Sequence, residues 1–110
     1  MKRSFHDHLL RIQDFSLKIQ NRMLDMSKED FISNDMLQES IMYCLGQIGE
    51  IANNITEKDQ ENHPQLFWDQ MIGLRNRLFH DYEEINFSLV YDITQEPINQ
   101  LIKEIKRIIN

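Results

Sequence analysis

The stretch Phe67-Trp68-Asp69-Gln70-Met71-Ile72-Gly73-Leu74-Arg75-Asn76-Arg77-Leu78-Phe79-His80-Asp81-Tyr82 decides the fold and holds most of the chemistry-bearing side chains. At about 100° per residue, Phe67, Met71, Leu74 and Leu78 share one helical face, and Trp68, Ile72 and Phe79 share a second about 100° away. Pro64, with its preset φ, supplies the first turn of this helix. One apolar face closes the protomer core; the other is free to meet a second subunit, so a homodimer is expected, with a more enclosed monomer core as the alternative.

Arg75 to Tyr82 brings two guanidiniums, an imidazole and a phenol into eight residues. With residues 65–80 helical, Asn76 and His80 are four apart and can touch, so the amide can fix the imidazole's orientation or tautomer. Arg75 lies about 140° around the helix from His80. The two converge either through the long arginine side chain near the helix end or by meeting their equivalents across a two-fold axis, which makes a composite site at a dimer interface natural. A histidine moves protons near neutral pH, and a guanidinium matches a phosphate and the extra charge of its transition state. These groups suffice to cleave RNA, because the ribose 2′-OH is an internal nucleophile that needs no metal and no cofactor.

Outward from this helix the chain reads as helices with short connections. Upstream, Glu57 to His63 is wholly polar and is expected to be a loop. Before it, Leu37, Ile41, Cys44 or Leu45, Ile48, Ile51 or Ala52, and Ile55 form the stripe of a second helix. Ser27-Lys28-Glu29-Asp30 has the form of a capping box at its start, with Ser33-Asn34 a candidate interruption. Gly46 and Gly49 lie three apart on one side of it, where a close backbone approach by another helix would offset the cost of glycine. Cys44, among Met42, Leu45 and Ile48, reads as a small buried apolar residue. Residues 4 to about 26, with Phe5, Leu9, Ile12, Ser16, Ile19, Met23 and Met26 at steps of three and four, make the first helix. Downstream, Asn86 is a plausible N-cap for a last helix, kinked at Pro97. The expected fold is all-α, an antiparallel four-helix bundle over a single domain, residues 1–110.

Composition narrows the function. The chain is 41% apolar with 3 Gly and 2 Pro, a bias toward helix formers. Its net charge of -6 argues against a broad basic surface for duplex DNA, so any nucleic-acid role is local to a compact site. His6 and His8 diverge on a helix and Cys44 has no companion, so no metal set is expected. No signal-peptide core or membrane-length apolar run is present, which points to a cytoplasmic protein with no membrane partner.

The pattern Arg75-x4-His80-x-Tyr82, with Gly73-Leu74 before it, Asn76 after the arginine and Ile48-Gly49-Glu50 upstream, resembles the signature of the HEPN ribonucleases. Within these it is most similar to the HepT-type toxins paired with a nucleotidyltransferase antitoxin. Chain length, Pro64 with Trp68, and the last helix fit the same family. The resemblance implies that Arg75 and His80 are catalytic, in a metal-independent cleft at a homodimer interface. It implies supporting roles for Asn76 and Glu50, the latter by pairing with an arginine. Tyr82 matches the tyrosine that the antitoxin modifies with AMP, a bulky anion that would block RNA. The implied function is a toxin that cleaves tRNA or mRNA. The alternative is a non-catalytic nucleotide-binding or regulatory module that partners a nucleotidyltransferase.

Overall fold

The structure, a computed structural model, describes residues 3–80 and 82–110, with the backbone alone at Tyr82. Its helices are α1 (Phe5–Arg22), α2 (Lys28–Ile32), α3 (Asp35–Asn53), α4 (Glu57–Asn62), α5 (Trp68–His80), α6 (Phe87–Ile93) and α7 (Glu96–Ile109), with 3₁₀ turns at Pro64–Leu66 and Tyr82–Glu84. The fold is all-α and matches the expected bundle: α1, α3, α5 and α7 are its long members, and the short helices are their connections. Gln20 in the last turns of α1 bonds Asn99 near the start of α7, and Phe5 at the other end of α1 stacks on His63 beyond the end of α3. These contacts set α1 antiparallel to both neighbours. The core is aliphatic, with Leu9, Ile12, Ile19, Ile41, Ile48 and Ile105 essentially withdrawn from water. Truncating any one of them to alanine costs about 2–5 kcal/mol. Ser16, the polar member of the α1 stripe, is buried and returns its hydroxyl to Ile12 O at 2.8 Å.

Caps fix the helix starts. Ser4 and Ser27 each form a complete capping box, and Asn34, Thr56 and Asn86 each accept a backbone N–H with the side chain. Ser33-Asn34 does interrupt the second helix: the box at Ser27 starts only the one-turn α2, and Asn34 starts α3 afresh. Gln38 bridges the break by donating to Phe31 O and Ile32 O, two carbonyls at the end of α2.

Several boundaries differ from those expected. The first helix ends at Arg22, because Asp25 takes a left-handed φ of 62° that turns the chain toward Ser27. The polar segment expected as a loop is helix α4, which needs no apolar stripe because it caps its neighbours. Thr56 starts it, its Gln60 donates to Ala52 O and Ile55 O at the end of α3, and Trp68 Nε1 donates to Gln60 O and His63 O. The motif helix does not run from Pro64: Phe67, with φ 60°, separates the Pro64–Leu66 turn from α5. Pro97 does not kink one long helix. The chain breaks at Thr94-Gln95, and Pro97 sits in the first turn of α7, where its missing N–H leaves no bond unmade. Cys44 is buried as expected, and Arg22 Nη1 donates to its Sγ at 3.1 Å. Burial pushes the thiol pKa up, partly opposed by that guanidinium. Among the described residues, no helix is long and apolar enough to cross a membrane.

Candidate functional site on α5

Gly49 determines where the site sits. A Cβ added there would overlap Arg75 Cβ and stand 2.6 Å from Met71 O, so only glycine lets α5 approach α3 this closely. The expected close approach therefore holds for Gly49 but not for Gly46, where an added Cβ meets nothing within 4 Å. The next residue on α3, Glu50, faces Arg75 across the contact. Arg75 Nε donates to Glu50 Oε2 at 2.7 Å, and Nη2 lies 2.7 Å from the same oxygen. Arg75 Nη1 donates to Asn76 Oδ1 at 2.8 Å, and the guanidinium carbon sits 5.1 Å from the centre of the Phe79 ring. The side chain is thus held on three sides, and one N–H on each terminal nitrogen remains unused by these contacts.

Asn76 consequently serves the arginine, where sequence spacing pointed it at His80. The amide oxygen is occupied by Arg75, and among the described contacts none joins Asn76 to His80. His80 is the last residue of α5, and its side chain is exposed. It is on the same helix as Arg75 but about 140° around it. Glu50 pairs with an arginine, as the resemblance implied. Asp81 and the side chain of Tyr82 lie outside the described residues. Among those described, no three His, Cys, Asp or Glu side chains gather as a metal centre requires.

The two stripes of α5 divide differently from their sequence reading. Met71 and Leu78 of the first stripe and Trp68 of the second are buried together. Phe67 and Leu74 line an apolar groove of about 540 Å³ that separates α5 from α7 over a floor of Leu45 and Ile48. Phe79 is 59% exposed beside Arg75. Sequence reasoning had placed Phe79 only as an apolar contact and overlooked its ring as the face on which the arginine lies. Its position four residues after Arg75 was the available signal.

Comparisons with known proteins assign the family. The family model described as ribonuclease HepT-like matches residues 7–108, and the chain belongs to that family of enzymes. Among its relatives, a protein of Caldanaerobacter subterraneus assigned by name to the RNases is 27% identical, covering 97% of this chain and 93% of its own. A Methanocaldococcus jannaschii protein likewise assigned is 34% identical over 77% of this chain and 70% of its own. The mRNA nuclease HepT of Shewanella oneidensis is 29% identical over 72% of this chain and 77% of its own. No solved structure matches the chain.

Proposed function

We propose that the chain, acting as one domain over residues 1–110, is the toxin of a toxin–antitoxin pair: a cytoplasmic, homodimeric, metal-independent endoribonuclease that cleaves tRNA or mRNA. The observation that carries this reading is the fixing of Arg75 by Glu50, Asn76 and Phe79, with two N–H groups left over. An arginine held in place before substrate arrives can stabilise charge without reorganising. In the proposed reaction, His80 removes the proton from a ribose 2′-OH, and the 2′ oxygen attacks the adjacent phosphorus. The bond to the 5′ oxygen breaks, that oxygen takes a proton, and a 2′,3′-cyclic phosphate remains. Arg75 neutralises the added charge on the phosphoryl oxygens.

The dimer reading is supported by the outer side of α5. Gly73 is in mid-helix, where glycine costs about 1 kcal/mol against alanine, and an added Cβ there meets nothing within 4 Å. Among the described residues nothing repays that cost. A second α5 lying close across a two-fold axis would do so, and would carry the partner copy's histidine toward Arg75. The antitoxin is proposed to be a nucleotidyltransferase that places AMP on Tyr82, two residues beyond His80, where added phosphate would repel RNA. The name of the Shewanella relative supports mRNA as a substrate.

The test is cleavage of tRNA and mRNA by the purified chain in the presence of a chelator. His80→Ala and Arg75→Ala are each expected to lower the rate by about 10²–10⁴-fold. Cleavage by His80→Ala at the native rate would sink the assignment of that residue. Failure of the native chain to cleave either RNA, with partner binding intact, would identify a regulatory module. Coexpression with the nucleotidyltransferase should add AMP-sized increments to the mass, and Tyr82→Phe should abolish them.

A further inference from the structure

The outer face of α3 continues the site beyond Arg75. Glu39, Tyr43, Gly46 and Glu50 recur at steps of four, three and four, so they lie in one row, with Glu50 holding the arginine. Seven residues separate Glu50 from Tyr43, about 10 Å along the helix axis. Along this row is an open cleft lined by Glu39, Met42, Tyr43, Gly46 and Gln47 of α3 and by Leu78 and Phe79 of α5. Its two aromatic residues are largely in water, Tyr43 at 62% and Phe79 at 59% exposure. Beyond Tyr43 the series runs on to α1. The Phe15 ring meets Tyr43 edge to face at 6.1 Å, and Lys18 Nζ lies 5.0 Å over Phe15. Arg22, one turn further, is anchored on Cys44 Sγ. Neither Lys18 nor Arg22 forms an ion pair among the described residues.

Three aromatic rings, Phe79, Tyr43 and Phe15, therefore lie in series from α5 across α3 to α1, with Arg75 at one end and Lys18 and Arg22 at the other, on a chain whose net charge is -6. Aromatic faces flanked by cations suit single-stranded nucleic acid, since bases stack on rings while phosphates meet cations. The Glu39 carboxylate in the cleft lining disfavours a phosphate inside the cleft and suits an uncharged base there. We propose that this band is the path of the RNA strand leaving the scissile phosphate. An unpaired base enters the cleft between Phe79 and Tyr43 above Gly46, and the following phosphates lie on Lys18 and Arg22. This inference rests on the ribonuclease reading and specifies its substrate: an unpaired strand, read by stacking, with a footprint extending several nucleotides to one side of the cut.

Gly46→Leu tests it directly, because the open space over Gly46 lets the variant fold while its side chain occupies the base's place. Cleavage of a single-stranded RNA about ten nucleotides long should fall tenfold or more in Gly46→Leu and in Tyr43→Ala. In the His80→Ala background, Lys18→Ala should weaken binding of the same RNA. It should also lower the slope of log affinity against log salt by about 0.7, a readout that a purely structural role would not move. If the native chain cleaves and these three variants cleave and bind as it does, the path is wrong while the ribonuclease reading survives. If the native chain does not cleave, both fall. If Gly46→Leu and Tyr43→Ala halve the mass of the assembly in solution yet bind RNA normally, the band is a subunit contact and the proposal is overturned.

Discussion

On its α3 side, α5 lies so near its neighbour that only glycine fits at position 49; on its α7 side it stands off across a groove of about 540 Å³. The closed side carries Arg75, Glu50 and Asn76, and the open side carries Phe67, Leu74 and Pro97. The approach at Gly49 is set by contact with Met71 O and Arg75 Cβ, so the base of the arginine side chain is fixed there. A surface ion pair is worth little for stability, at most about 1 kcal/mol. The Arg75–Glu50 pair is better understood as fixing the direction of the guanidinium than as holding the helices together. Among the described residues no charged pair crosses the groove, and its surface is mainly apolar, with Gln70, Glu96 and Gln100 among its lining.

The sharpest way to break this contrast is Gly49→Ala. One methyl group forced against Met71 O and Arg75 Cβ must push α5 outward, and overpacking of this kind costs about 2–3 kcal/mol. Urea unfolding should show a lowered midpoint, and cleavage should fall with it because Arg75 moves. An unchanged midpoint would mean that the two helices are not in backbone contact. Gly46→Ala, three residues earlier on the same helix, should act with the opposite sign. Its methyl group meets no neighbour, so the gain in helix propensity is expressed in full, about 1 kcal/mol of added stability. A loss of stability there would show that something in the folded chain already occupies that space.

These glycines also mark how far the sequence could be read. Both looked alike as helical glycines three apart, and periodicity cannot tell which of them another helix reaches, because that depends on the crossing point. The all-α class, the capping box at Ser27 and the cap at Asn86 were legible because each is encoded within a few neighbouring residues. α4 was not, because its helix is secured by tertiary caps, Gln60 on α3 and Trp68 on its own C-terminus, and not by an apolar stripe. The break at Thr94-Gln95 was missed for a related reason: Pro97 is as compatible with the first turn of a new helix as with a kink in an old one. Within the site, the sequence pointed to Glu50 only through family resemblance, and it misdirected Asn76, since residues four apart on a helix compete with the adjacent arginine whose side chain folds back.

The smallest effect concerns the far end of the bundle, where α1 begins beside α4, and it asks whether the tight packing of the α3 side extends that far. His8 Nδ1 is shut off from water and has no hydrogen-bond partner among the described residues. Its pKa is lowered from 6.5, first by burial and then by Arg11 and Arg3, with Asp7 and Asp59 opposing. Because the folded value lies below the unfolded one, the unfolded chain binds more protons as the pH drops, and stability must fall on acidification through and below about pH 6.5. Because much of the imidazole stays in contact with solvent, the loss is small. Urea midpoints measured between about pH 7.5 and pH 5.5 should therefore fall more steeply for the native chain than for His8→Gln, whose amide does not titrate in this range. Parallel slopes would show that His8 is as well solvated folded as unfolded, and that the packing loosens where α1 meets α4.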